Sequence, residues 1–207
     1  MHVGLRTILH VHGFLRENTY RIRYAAPVWV KGEWLRPGQH LDLIGAYRPD
    51  MREVDDEAKL AVIAYSRPST EKRLWVFDLA HDALLFNEHV AHGSGTGDNI
   101  AKRFSNEDGS HATSLGLFRT AETYQGGNGY SLRMDGLDPG FNDRARSRAI
   151  VMHGAWYANP ELIRTQGRLG RSQGCPALRE QVAKVVIDTL KQRQLLFSYA
   201  DDAAFLQ

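Results

Sequence analysis

Short apolar runs, broken by glycine, proline and charged residues, recur along the chain. Runs of about four to eight such residues between turn-formers are the signature of strands. Leu60-Ala61-Val62-Ile63-Ala64-Tyr65 reads as a buried strand. Residues 73–79 and 84–90 flank Ala80-His81-Asp82-Ala83, a β-hairpin pattern. Arg148-Ala149-Ile150-Val151-Met152 is a further strand that ends at His153-Gly154, and Gln194 to Tyr199 reads as a closing strand. One stretch has good helical spacing. Val182, Val185, Val186 and Leu190 form an apolar stripe, with Lys184, Asp188 and Lys191 on other faces. Periodicity alone predicts many short strands and one good helix.

The first 59 residues form a segment of unknown role, read as a small β appendage or a cover for a cleft. Tyr20-Arg21-Ile22-Arg23-Tyr24, Pro27-Val28-Trp29-Val30 and His40-Leu41-Asp42-Leu43-Ile44 have strand character, and Pro37-Gly38 marks a turn. Residues 47–57 read as a polar linker, which places the main domain at 60–207. Within that domain, residues 100–147 look loop-rich because glycines interrupt every run.

Composition narrows the function classes. A hydrophobic content of 43% and a charged content of 24% are ordinary for a globular protein with a substantial core. A formal charge of +2 without a basic block gives no argument for nucleic acid. No apolar run approaches the ~20 residues of a transmembrane helix, and the start lacks a signal-peptide pattern. His2, His10 and His12 have no cysteine or second pair at ligand spacing, so no metal site is expected. The glycine-rich His92-Gly93-Ser94-Gly95-Thr96-Gly97-Asp98 fits neither nucleotide fingerprint: Asp98 replaces the third glycine, and no Gly-Lys-Ser/Thr follows. It reads as a loop beside a cleft, and no cofactor is expected.

The candidate chemistry lies in Gly170-Arg171-Ser172-Gln173-Gly174-Cys175-Pro176, which holds the single cysteine of the chain. Proline suits the first position of a helix, so Cys175 is expected at a helix N-terminus, where the dipole favours a thiolate. The alternative is a small buried apolar residue. His153, at a strand end, is the expected base, with a surface strand-capping histidine as its alternative; His92 ranks below it. A cysteine with a nearby histidine is a usual arrangement for an activated nucleophile.

His153-Gly154 followed by Ser172-x-Gly174-Cys175 resembles the active-site signature of the L,D-transpeptidases, the YkuD-type catalytic domain. Gly167 to Ala177 is similar to the branch described as murein L,D-transpeptidase catalytic domain proteins. Other blocks agree in order: Pro68 to Val76, Ala91-His92-Gly93, Ser114-Leu115-Gly116 and Ala149 to Ala155. The resemblance runs from about Leu60 to about Tyr199. It implies a mainly β sandwich or barrel with a few helices, its cleft lying where the His153 strand meets the Cys175 turn.

It also implies a peptidoglycan tetrapeptide stem as substrate, cut after diaminopimelate with loss of D-Ala and joined to an acceptor amine. Periplasmic or secreted location and acylation by carbapenems are further implications. A Cys175 thiolate paired with a His153 imidazolium is the expected resting state. Gly174 and Cys175 amides, helped by Ser172, are the expected oxyanion donors. Arg171, Gly154, Tyr157 and Tyr130 are candidate substrate contacts; Arg171 is equally readable as a surface residue and the tyrosines as packing. Two positions depart from the family pattern: Gln173 stands where histidine is common, and Ala177 where arginine is common. An L,D-carboxypeptidase, a secreted stem-trimming toxin and a non-catalytic peptidoglycan-binding module remain as alternatives.

Overall fold

The structure is a computed structural model and describes Thr7–Val11, Tyr20–Tyr24, Leu41–Ile44 and residues 58–206. The chain divides into two compact units, residues 1–58 with 78–83, and residues 59–77 with 84–207. In the first, β1 (Thr7–Val11) lies between β2 (Tyr20–Tyr24) and β3 (Leu41–Ile44), antiparallel to both. The expected strand Pro27–Val30, the Pro37-Gly38 turn, the linker 47–57, His2 and His12 lie outside the described residues.

The second unit is built on an eight-stranded sheet of order β10-β9-β8-β7-β11-β4-β5-β6. Its strands are β4 (Lys59–Ala64), β5 (Leu74–Asp78), β6 (Ala83–Glu88), β7 (Gly116–Gly126), β8 (Gly129–Gly136), β9 (Val151–Gly154), β10 (Ala177–Leu178) and β11 (Leu195–Tyr199). The pairs β9/β10 and β4/β11 are parallel, whereas β7/β8, β8/β9 and β7/β11 are antiparallel. The two edges approach each other past the end of β6. There the Ala91 N–H donates to the Ala177 carbonyl at 2.8 Å, so the sheet nearly closes into a barrel. The fold is mainly β with few helices.

The continuous apolar run in β4 fits this position, because it is flanked by β5 and β11 and buried from Leu60 onward. Residues 116–136, read as loop-rich, form the long β7/β8 hairpin instead. Gly126 and Gly129 pair across its two-residue turn, where glycines interrupt the hydrophobic pattern without interrupting the ladder.

Helices α1 (Glu161–Gln166) and α2 (Glu180–Leu190) complete the unit. α2 packs against β9, β4 and β8 through Ala183, Val186, Ile187 and Leu190. This face is rotated from the expected stripe: Val182 is only partly buried and Val185 is 50% exposed. Ala183 and Ile187 complete an i, i+3, i+4, i+7 set, the spacing that a single buried helical face requires. Burying a side chain of valine or isoleucine size contributes about 1.5–3 kcal/mol, so α2 is held chiefly by this contact.

Candidate active site

Residues 170–178 thread between two strand-like segments. On one side, Ser172 bridges in parallel to Gly93: its N–H donates to the His92 carbonyl at 2.9 Å, and the Ser94 N–H returns to the Ser172 carbonyl at 2.8 Å. On the other, Ala177 is in register with His153 of β9. The turn between these contacts carries Cys175. Gly174 adopts φ +115°, a region open to glycine, and a side chain there would meet the Ala112 carbonyl and Ile150. Gly93 is required for proximity, since a Cβ on it would lie 2.8 Å from Cα of Gly174. Ser172 Oγ ties the turn by donating to the Cys175 carbonyl at 2.6 Å and accepting the Gly174 N–H at 3.1 Å.

Cys175 is not at a helix N-terminus, contrary to expectation. Ala177–Leu178 form β10, and α2 begins only at Glu180. Sheet pairing to β9 and to Ala91 satisfies the backbone here, so Pro176 precedes a strand rather than opening a helix. The sulfur lies on the same edge of β9 that pairs with the turn. The Val151 N–H points to Sγ at 3.4 Å, and the His153 N–H donates to the Pro176 carbonyl at 3.4 Å. Sγ therefore occupies the place of the next backbone acceptor in the ladder. The sulfur thus meets β9 at Val151, two residues before His153 on the same strand.

His153 is 3% exposed, and its Nδ1 is 2.9 Å from the Gly154 carbonyl, which fixes the proton on Nδ1 and leaves Nε2 as the basic nitrogen. Tyr157, in the 3-10 turn Trp156–Ala158, stands edge-on to this imidazole with centroids 6.4 Å apart. Burial pushes the His153 imidazole below its ordinary value, against the pull of the Gly154 carbonyl. Burial also pushes the Cys175 thiol up, against the opposing effects of the Val151 amide and the Arg148 charge. Both directions disfavour the charged forms that the expected ion pair requires. Desolvation penalises both charges, and the helix dipole expected to offset it is missing.

The expected oxyanion set also changes. The Gly174 amide and the Ser172 hydroxyl are committed to each other and to the Cys175 carbonyl. The Cys175 N–H has no partner among the described residues and remains as a donor. Gly154, at the end of β9, approaches Ala183 of α2, and Tyr157 lies beside His153. Two other expected contacts point elsewhere. Tyr130 Oη donates to Asp188 of α2 at 2.7 Å, and Arg171 is anchored to Asp98 at 2.9 Å and to the Gly97 carbonyl at 3.2 Å.

His92 is excluded as a base by its bonds. Arg73 donates to its Nδ1 at 2.7 Å, and its Nε2 faces the Gly97 carbonyl at 3.2 Å. Burial and the Arg73 charge push its value down to about 4.

The sequence profile of the L,D-transpeptidase catalytic domain matches residues 40–199, more than half of the chain. The chain belongs to this family. Among solved structures it is similar to an L,D-transpeptidase from Mycobacterium smegmatis (14% identity, 69% of this chain and 58% of that one, TM-score 0.41). It is also similar to one from Stackebrandtia nassauensis (13% identity, 75% of this chain and 62% of that one, TM-score 0.42). Short curated matches are of another kind. A Delta(1)-pyrroline-2-carboxylate reductase of Paracoccus denitrificans is 51% identical over 43 residues, 20% of this chain and 14% of the reductase. The ketimine reductase mu-crystallin of Mus musculus is 50% identical over 34 residues, 16% of this chain and 11% of that protein. The chain thus spans about three-fifths of those solved chains and at most about a seventh of the curated relatives.

The two departures from the transpeptidase pattern have structural readings. Gln173 is exposed at the tip of the turn, so its side chain is not needed for the turn's bonds. Ala177 is fully buried among Ala91, Ala155, Ala158 and Leu169, where a guanidinium has no room. Three residues near the turn were not anticipated. Thr113 Oγ1 accepts the Gly93 N–H at 2.9 Å and donates to the Gly174 carbonyl at 3.3 Å. Arg73, fully buried, donates to the Val90 and Arg67 carbonyls as well as to His92. Arg148 flanks the sulfur's end of β9. Among the described residues no group of three or more metal-ligating side chains is assembled, and no helix is long and apolar enough to cross a membrane.

Proposed function

We propose that residues 60–207 form a cysteine acyltransferase acting on peptidoglycan stem peptides, with Cys175 as nucleophile and His153 as acid and base. The observation that carries this reading is the β9 edge, where consecutive outward N–H groups face Sγ of Cys175 and the carbonyl that follows it. That edge sets the thiol two residues from an imidazole whose Nδ1 is already engaged.

Neutral His153 Nε2 takes the thiol proton as sulfur attacks the amide carbonyl carbon after the L-centre of diaminopimelate, and the Cys175 N–H stabilises the oxyanion. The C–N bond then breaks, the imidazolium proton passes to the departing D-Ala amine, and an acyl thioester remains. An acceptor amine attacks that thioester and gives its proton to His153, and the C–S bond breaks to leave a new amide. Water in place of the amine gives hydrolysis. Because Ala177 leaves no room for the family's arginine, the substrate carboxylate must be held elsewhere, which weakens discrimination against water. The substrate places the reaction in the cell wall outside the cytoplasm.

Incubation with purified muropeptides, followed by mass spectrometry, tests the reading. A diaminopimelate-linked dimer that disappears in Cys175→Ala supports transfer. A tripeptide alone corrects it to an L,D-carboxypeptidase. Intact substrate with measurable binding overturns it in favour of a binding module. Covalent mass gain at Cys175 on exposure to a carbapenem is a second expected outcome.

A further inference from the structure

The reading of Cys175 as nucleophile leaves one electrostatic question open. A sulfur buried to 7% exposure, with no helix dipole behind it, must become an anion during attack. The structure places one cation to meet that need. Arg148 lies one residue before the Ala149 carbonyl, 3.8 Å from the sulfur, and three before the Val151 amide, 3.4 Å from it. Ala149 itself has φ +53°, a left-handed turn that non-glycine residues seldom adopt.

The guanidinium is fixed by four bonds: Nη1 to the Ser105 carbonyl (2.9 Å) and Ser114 Oγ (2.6 Å), Nη2 to Ser110 Oγ (3.1 Å) and the Ala112 carbonyl (2.9 Å). The same Ala112 carbonyl lies against Gly174, the residue before the nucleophile. All four acceptors are neutral, and Arg148 has no ion pair among the described residues. Its charge is therefore uncompensated by a carboxylate bond and reaches the turn that carries the sulfur through the Ala112 carbonyl. Such an arrangement suits a preorganised cation that acts where negative charge develops.

We propose that Arg148 is a positioning residue whose fixed charge holds the Cys175 sulfur in place as it becomes anionic, in the role of the absent helix N-terminus. The other titratable groups whose charge bears on the sulfur are Tyr65 after β4 and Tyr157 of the 3-10 turn, neither of which can be cationic, while His153 of β9 lies two residues along the strand and burial lowers its value. Asp108 and Glu107 lie near the guanidinium without bonding it, and Glu107 pairs with Arg144.

The inference rests on Cys175 being the nucleophile, but its test reads the sulfur directly and needs no turnover. The intact protein is alkylated with iodoacetamide across pH 6 to 11, and mass spectrometry follows the rate at the single cysteine. In Arg148→Gln the midpoint of the rate profile is expected to rise by about one pH unit or more, and Arg148→Lys is expected to recover most of that rise. An unchanged midpoint in folded Arg148→Gln overturns the proposal, as does an equal rise in Arg148→Lys. Should Arg148→Gln fail to fold, citrulline at position 148 keeps the shape and removes the charge. The same rise is then expected and the same unchanged midpoint overturns it. Failure here, with diaminopimelate-linked products still formed, leaves the acyltransferase reading standing.

Discussion

Two buried histidines flank the Cys175 turn, one on each of the segments that grip it. His153 lies on β9, in register with Ala177; His92 lies beside Gly93, in register with Ser172. Both are almost fully buried, and burial pushes both below the ordinary histidine value. They differ in their bonds. His92 has Arg73 on one nitrogen and the Gly97 carbonyl on the other, so it serves as a rivet between β5's leading edge and the glycine-rich loop. His153 has Nδ1 on the Gly154 carbonyl and no partner for Nε2 among the described residues. Burial alone does not separate His92 from the proposed base His153; the number of ring nitrogens left without a partner does.

The largest expected effect comes from exchanging these two fates. His153→Gln keeps volume and loses the base, so thioester formation should fall by about 10²–10⁴-fold with a small change in denaturation midpoint. His92→Leu should do the reverse. It leaves an Arg73 donor buried without its acceptor, which costs about 1.5–3 kcal/mol of stability, while turnover per folded molecule is largely retained. Carbapenem acylation rates and urea denaturation of both variants measure the two quantities. Equal loss of rate in both would erase the distinction.

The next effect is the acid response of stability. His92 titrates near 6.5 in the unfolded chain and at about 4 in the fold, so between those values the unfolded chain binds the extra proton. The contribution is complete above pH 6.5 and is lost as pH falls toward 4, to a total on the order of 3 kcal/mol. His153 and His89, also lowered by burial, act in the same direction. Urea midpoints should therefore decline from pH 7 to pH 5, above the range in which exposed carboxylates titrate. His92→Gln should flatten most of that decline, and an unaltered slope would assign it to other groups.

The same contrast explains what was legible in the sequence. The strands β4, β5, β6, β9 and β11 announce themselves as compact apolar runs, and the family blocks mark Cys175 and His153 without any geometry. β10 was invisible because two residues, Ala177 and Leu178, carry no period, and their strand state comes from partners at positions 91 and 153. Reading Pro176 as a helix start followed from local propensity, which non-local pairing overrode. Arg148 and Arg73 read in the sequence only as members of strand-like runs. The carbonyls that hold Arg148 half-buried and Arg73 fully buried come from residues up to 43 positions away. The downward push on His153 and the upward push on Cys175 were equally hidden, since desolvation is a property of the packed site.

The smallest effect concerns Ser172 and decides how the turn helps the chemistry. Its hydroxyl donates to the Cys175 carbonyl and accepts the Gly174 amide, so it braces the turn from inside rather than facing a substrate oxygen. Ser172→Ala removes both bonds and should cost about 1–2 kcal/mol of stability. Rate should fall by roughly 10-fold, because the Cys175 N–H loses its fixed direction and each 1.4 kcal/mol of barrier is tenfold. An oxyanion donor gives a different result: losing one typically costs about 10²–10³ in kcat. A 10-fold loss with a matching drop in stability therefore marks Ser172 as the brace of the turn. A loss beyond 100-fold at unchanged stability would move its hydroxyl into the oxyanion site and require the turn to rearrange when substrate binds.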